Sequence, residues 1–151
     1  MRSVFMLFET RHRDAVVEFL DQYCDEKFKK RETTQWNVLK NGDGMFYIDE
    51  ISMDQLLMEI GDDSPYLYIL ETLQKPLCCW QIDISGRHDG TVEIKQLLHE
   101  LLSQINGFAM DDFTEYFWTL EEIENGTLVE GRAFFDYTRL ADSKNNPGFP
   151  G

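Results

Sequence analysis

The sequence predicts an α+β domain, with a mostly antiparallel sheet and about three helices packed on one face. Three observations carry this. First, LCCWQIDIS (77–85) alternates Cys78, Trp80, Ile82 and Ile84 with Cys79, Gln81, Asp83 and Ser85, the period of a half-buried strand. Second, TVEIKQLLHELLSQI (91–105) sets Ile94, Leu97, Leu98, Leu101, Leu102 and Ile105 on one helical face. Third, NGDG (41–44) separates the strand-like TTQWNVLK and MFYIDEI with residues that tolerate positive φ, which is a hairpin signal. Strands joined by hairpins and punctuated by helices favour an antiparallel sheet over a parallel one.

Taken in order, VFMLFE (4–9) reads as a buried strand. Thr10 is expected to cap a helix carrying Val16, Phe19, Leu20, Tyr23 and Phe28. Its end, KFKKRE, would place Lys27, Lys29, Lys30 and Arg31 at the negative end of the helix dipole, the alternative being a phosphate site. Ser52 and Gln55 in SMDQ have capping-box spacing, and that helix would run through LLMEI to Gly61. GDDSP (61–65) is a loop, YLYILETL (66–73) a strand and GRHDG (86–90) a turn. Asn106 and Gly107 are expected to end the long helix, and GRAFFDYTRL (131–140) to form the last strand. Residues 1–142 form one α+β domain, and 143–151 (SKNNPGFPG) a flexible tail.

Charge narrows the function. The chain has 28 Asp and Glu against 14 Lys and Arg, a formal net charge of −14 in 151 residues. Such a chain repels nucleic-acid phosphates and anionic membranes and attracts basic proteins; equally, the acidity can serve solubility alone. Cys24, Cys78 and Cys79 are an odd set without zinc-ligand spacing, which fits free thiols in a reducing compartment. The short apolar start is followed by RHRDAVVEF, and no long apolar run follows, so neither a signal peptide nor a membrane span is expected. The expected location is the cytoplasm.

Few catalytic constellations are present. Phosphate-binding glycine loops and nucleophile elbows are missing, and His12, His88 and His99 are scattered without metal-ligand spacing. The exception is FAMDDFTEYFWTLEEIENG (108–126), where aromatics and carboxylates mix and no Lys or Arg intervenes between Lys95 and Arg132. On an extended segment Asp111 and Asp112 point to opposite faces, so they would not chelate one ion. Thr119 and Glu122 have capping-box spacing, with Trp118 stapling the turn. Aromatic anchors inside a carboxylate rim suit an interface to a basic protein; core aromatics beside solvated acids would look the same. A second interval without bases, from Lys40 to Lys75, holds Asp62 and Asp63, which would extend this face if the fold brings them near.

The stretch from Asp83 to Tyr137 resembles a group of small acidic bacterial proteins. Their pattern is a strand ending in D-x-SGR, an amphipathic helix, then GG-x-A-x-DD-[YF]-T-x-x-x-WT-x-x-EI. The resemblance marks Asp111, Asp112, Thr114, Trp118 and Thr119 as a recurring unit and implies no enzymatic activity. Where the pattern has a second Gly, this chain has Asn106 before Gly107. In size and charge the chain also resembles bacterial toxin-immunity proteins, including those of contact-dependent growth inhibition. That resemblance implies a non-enzymatic inhibitor whose partner is a basic nuclease toxin, with no cofactor. The expected partner-binding residues are Asp111, Asp112, Glu115, Glu121, Asp62, Asp63 and Tyr116. The alternative is a small metal-dependent hydrolase using clustered carboxylates.

Overall fold

The computed structural model describes residues 2–60, 75–114 and 116–136. Among them one antiparallel sheet has six strands: β1 (Arg2–Glu9), β2 (Glu26–Lys30), β3 (Thr33–Lys40), β4 (Asp43–Ile51), β5 (Leu77–Ile84) and β6 (Gly107–Asp111), in the order β2-β3-β4-β5-β1-β6. The helices are α1 (Arg13–Tyr23), α2 (Met53–Ile60), α3 (Thr91–Leu102) and the short α4 (Leu120–Glu124). The predicted α+β class is therefore observed. No helix among the described residues is long and apolar enough to cross a membrane. The segment 66–73 and the tail 143–151 lie outside the described residues.

Strand alternation sorts the core into two layers. Val4, Met6 and Phe8 of β1 join Trp80, Ile82 and Ile84 of β5 and the inner faces of α1 (Val16, Leu20) and α3 (Ile94, Leu97, Leu98, Leu101). The intervening Phe5 and Leu7 join Cys79, Met110, Phe117 and Leu56 of α2 in a second cluster. The expected single helical face thus holds for α1 and α3, while α2 packs on the other side. This double cover explains the unbroken apolar run of β1, which alternation alone would not produce. Cys78 and Cys79 do point to opposite faces, but both are buried rather than one. Burial raises the thiols, that of Cys78 to about 11.

Local chemistry sets several boundaries as predicted. Asn41 and Gly42 adopt φ of 55° and 80° between β3 and β4, the tight turn expected of NGDG. The Ser52–Gln55 capping box forms: Ser52 N–H donates to Gln55 Oε1 at 2.9 Å and Gln55 N–H to Ser52 Oγ at 3.1 Å.

Other expectations are corrected. KFKK is a strand, not a helix end: α1 stops at Tyr23, Cys24 turns extended, and β2 pairs with β3. The five-residue step from Tyr23 to Phe28 breaks the helical period, and Phe28 is 45% exposed. Lys27, Lys29 and Lys30 then decorate a sheet edge, where charge discourages pairing with another chain. Thr10 begins a 3-10 turn (Thr10–His12) ahead of α1 and makes no side-chain cap. Gly107 opens β6 instead of ending α3. A Cβ there would lie 2.5 Å from Phe8 Cδ1 and 2.6 Å from the Leu7 carbonyl oxygen, so the residue is selected by close approach. The described part of 131–140 is not a strand: Val129 bridges Arg132 across a tight turn at Glu130 and Gly131, and Phe134 and Phe135 plug the core.

Candidate functional site

The 108–126 corner is organised by a buried carboxylate. Asp111, at the end of β6, is 5% exposed. Its Oδ1 accepts the N–H groups of Phe113 (3.1 Å) and Thr114 (3.0 Å) and the Thr114 hydroxyl (2.9 Å), and its Oδ2 accepts the Phe135 N–H at 2.7 Å. Thr114 Oγ1 in turn accepts the Trp118 indole N–H at 3.2 Å. The chain then doubles back: Ala109 and Trp118 exchange both backbone hydrogen bonds, at 2.9 and 2.8 Å. A buried carboxylate ringed by peptide donors is a substitute for regular pairing where the strand ends.

Trp118 is fully buried, edge-on to Tyr116 and Phe134 at 5.1 and 5.7 Å. Immediately after it the predicted Thr119–Glu122 capping box starts α4: Thr119 N–H donates to Glu122 Oε1 (3.0 Å) and Glu122 N–H to Thr119 Oγ1 (3.3 Å). Burial raises the Glu122 carboxyl, but the donors from Tyr116 and Thr119 outweigh it and hold the group low. The Tyr116 hydroxyl donates to Glu122 Oε2, so this predicted contact residue ties the corner together. Glu121 is exposed in the first turn of α4.

Asp111 and Asp112 diverge, as their strand position predicts. Asp111 faces the interior and is withdrawn from any surface contact; the sequence expectation that it meets a partner is corrected by its burial. Asp112 is exposed and lies on the second sheet face, with Oδ2 accepting the Ser3 N–H at 2.5 Å. Two carboxylates facing apart do not form the convergent pair a hydrolase or metal centre needs. Among the described residues no three His, Cys, Asp or Glu side chains are placed to hold a metal ion. Asp62, Asp63 and Glu115 lie outside the described residues.

The register exposes a group that the sequence reading did not single out. On the second face Asn37, Tyr47, Asp83 and Ser3 lie side by side across β3, β4, β5 and β1, and Gln35, Asp49, Gln81 and Phe5 form the neighbouring row. Asp83 Oδ1 accepts from Ser3 Oγ (2.6 Å) and Gln81 Nε2 (3.0 Å); both Asp49 oxygens accept from Gln35 Nε2 at 3.3 Å. Burial raises the Asp49 carboxyl, and the charge of Asp83 raises it further. Asp112 is open to solvent as a residue, but its carboxyl sits against neighbouring groups whose desolvation raises it, reinforced by Asp111 and Asp83. The missed signal was the polar half of the alternation, Gln81 and Asp83 in β5 opposite Asp49 in β4.

Several bases are committed to other carboxylates, and Arg87 also bonds the Tyr47 side chain on this face. Arg13 pairs with Glu50 (2.6 Å), Lys27 with Asp21 (2.7 Å), Lys40 with Glu93 (2.5 Å) and Arg87 with Asp43 (2.9 Å). The hydrogen bonds of Arg87 and His88 lower the Asp43 carboxyl to about 2. Among the described residues Asp49, Asp83 and Asp112 make no ion pair. Comparison with protein-family models, curated proteins and solved structures returned no match to this chain.

Proposed function

We propose that the protein is a non-enzymatic inhibitor of the immunity type, which acts in the cytoplasm by binding a basic nuclease toxin and covering its active site. The observation that carries the reading is the second sheet face. Asp49, Asp83 and Asp112 are gathered there, held by neutral donors and without a described ion pair, in a chain of net charge −14. Carboxylates that repel one another and are partly desolvated carry a free-energy cost, which a cationic partner relieves. Such a face mimics the phosphate rows that a nuclease groove is built to receive.

The test is a titration of candidate basic nuclease toxin domains with the purified protein. Nuclease activity should vanish at one equivalent, and a triple variant with Asp49, Asp83 and Asp112 changed to Asn should need a large excess. Full nuclease activity at several equivalents of the parent protein contradicts the reading.

A further inference from the structure

We propose that Asn37, Asp49 and Asp83 form a slot for one guanidinium group, an arginine side chain of the basic partner; this rests on the partner-binding reading above. The decisive residue is Asn37. It is 6% exposed, and its Oδ1 has no hydrogen-bond partner among the described residues. A buried carbonyl oxygen left without a donor is costly, so native structures seldom leave one without a reason.

The strand register puts the Asn37 side chain on the acidic face. Trp36 and Val38 belong to the core layer under α1 and α3, so Asn37 between them faces the other way, beside Tyr47 and diagonal to Asp49. Asp83 flanks Tyr47 on the opposite side. The Tyr47 side chain reaches over Gly44, where an added Cβ would fall 2.2 Å from its hydroxyl oxygen. Gly44 lies on the turn side of β4, so the ring leans away from Asp49 and leaves the polar groups the middle of the face.

The acceptors are oriented and incompletely used. Asp83 spends Oδ1 on Ser3 and Gln81, while its Oδ2 takes no described donor. Among the described residues Asp49 has the long bonds from Gln35, and Lys30 acts on it through space without pairing. Three acceptor groups spread over two neighbouring rows suit a planar cation with five N–H donors better than a point charge. Neutral amides and a hydroxyl hold the carboxylates in place, so binding need not break an internal salt bridge.

The test is a ¹⁵N NMR titration of the full chain with N-acetyl-arginine-amide, with the lysine and citrulline analogues as controls. Arginine should give saturable shifts at Asn37, Asp49 and Asp83 and at the side-chain amides of Asn37, Gln35 and Gln81. Lysine should bind more weakly and citrulline not at all. Asp49→Asn should weaken arginine binding about ten-fold, the scale of one charge-assisted contact; if that variant does not fold, Asp83→Asn is read in the same way. No saturable shift, equal binding of lysine or citrulline, or unchanged binding in the folded variant overturns the slot. Arginine binding without inhibition of any basic nuclease keeps the slot and removes the inhibitor reading. Tight inhibition with the arginine probe ignored does the reverse.

Discussion

Asp111 accepts the backbone N–H of Phe135 at 2.7 Å, which fastens the end of β6 to a segment 24 residues further along the chain. The same carboxylate holds Phe113 and Thr114, so one side chain closes the whole acidic corner. Asp111→Ala strands several peptide donors in a buried site and is expected to lower stability by ~3 kcal/mol or more. Urea denaturation reads this directly. Asp112→Asn, one residue on and exposed, should leave the midpoint unchanged or raise it.

The capping box makes a smaller claim. Thr119→Ala removes the side chain that accepts the Glu122 N–H and should cost about 1 kcal/mol. Because the Glu122 carboxylate accepts from Thr119 and Tyr116 and an amide oxygen can still accept, Glu122→Ala should cost more than Glu122→Gln. Equal costs would show that the Tyr116 and Thr119 bonds contribute nothing.

At Gly107 the expected effect is steric. Gly107→Ala places a methyl group against Phe8 and the Leu7 carbonyl, both in β1 at the centre of the packing, and is expected to destabilise by ~1–3 kcal/mol. A wild-type melting temperature for this variant would show that β1 and β6 separate without cost.

Asp49 gives a pH-dependent prediction. Burial raises its folded-state carboxyl pKa above the unfolded value. The folded protein therefore takes up this proton more readily, so stability from this group is fullest below the unfolded pKa and is lost as pH rises through the folded one. At neutral pH the ionised group is a liability. Asp49→Asn should raise the melting temperature at pH 7 by ~1–3 °C, discounted for partial solvation, and the gain should shrink toward pH 4. A loss of stability at pH 7 would reverse the assigned sign.

Much of this was legible in the sequence where local chemistry decides the structure. Asn41–Gly42, the Ser52–Gln55 box, the Thr119–Glu122 box and the apolar face of α3 each follow from a few adjacent residues. The divergence of Asp111 and Asp112 followed from strand alternation. Where the fold departs from expectation, distant contacts decide. Lys27–Lys30 became a strand because β3 was there to pair with it, and Gly107 is glycine because β1 passes close. The burial of Asp111 was hidden because its fourth donor, Phe135, comes from a segment that read as a strand. The Asn37–Asp49–Asp83 grouping joins three strands, and only the register brings it together.

Under the proposed function, a basic partner recognises the charge of the second sheet face. The most direct measurement is the association rate with a basic nuclease domain that it inhibits, by stopped flow, across ionic strength. Electrostatic steering predicts a rate that falls at least about ten-fold from low salt to half-molar salt, and a triple Asn variant of Asp49, Asp83 and Asp112 that starts slow and shows little further fall. A parent protein whose association rate ignores salt, or a triple variant that associates as fast as the parent, would contradict it.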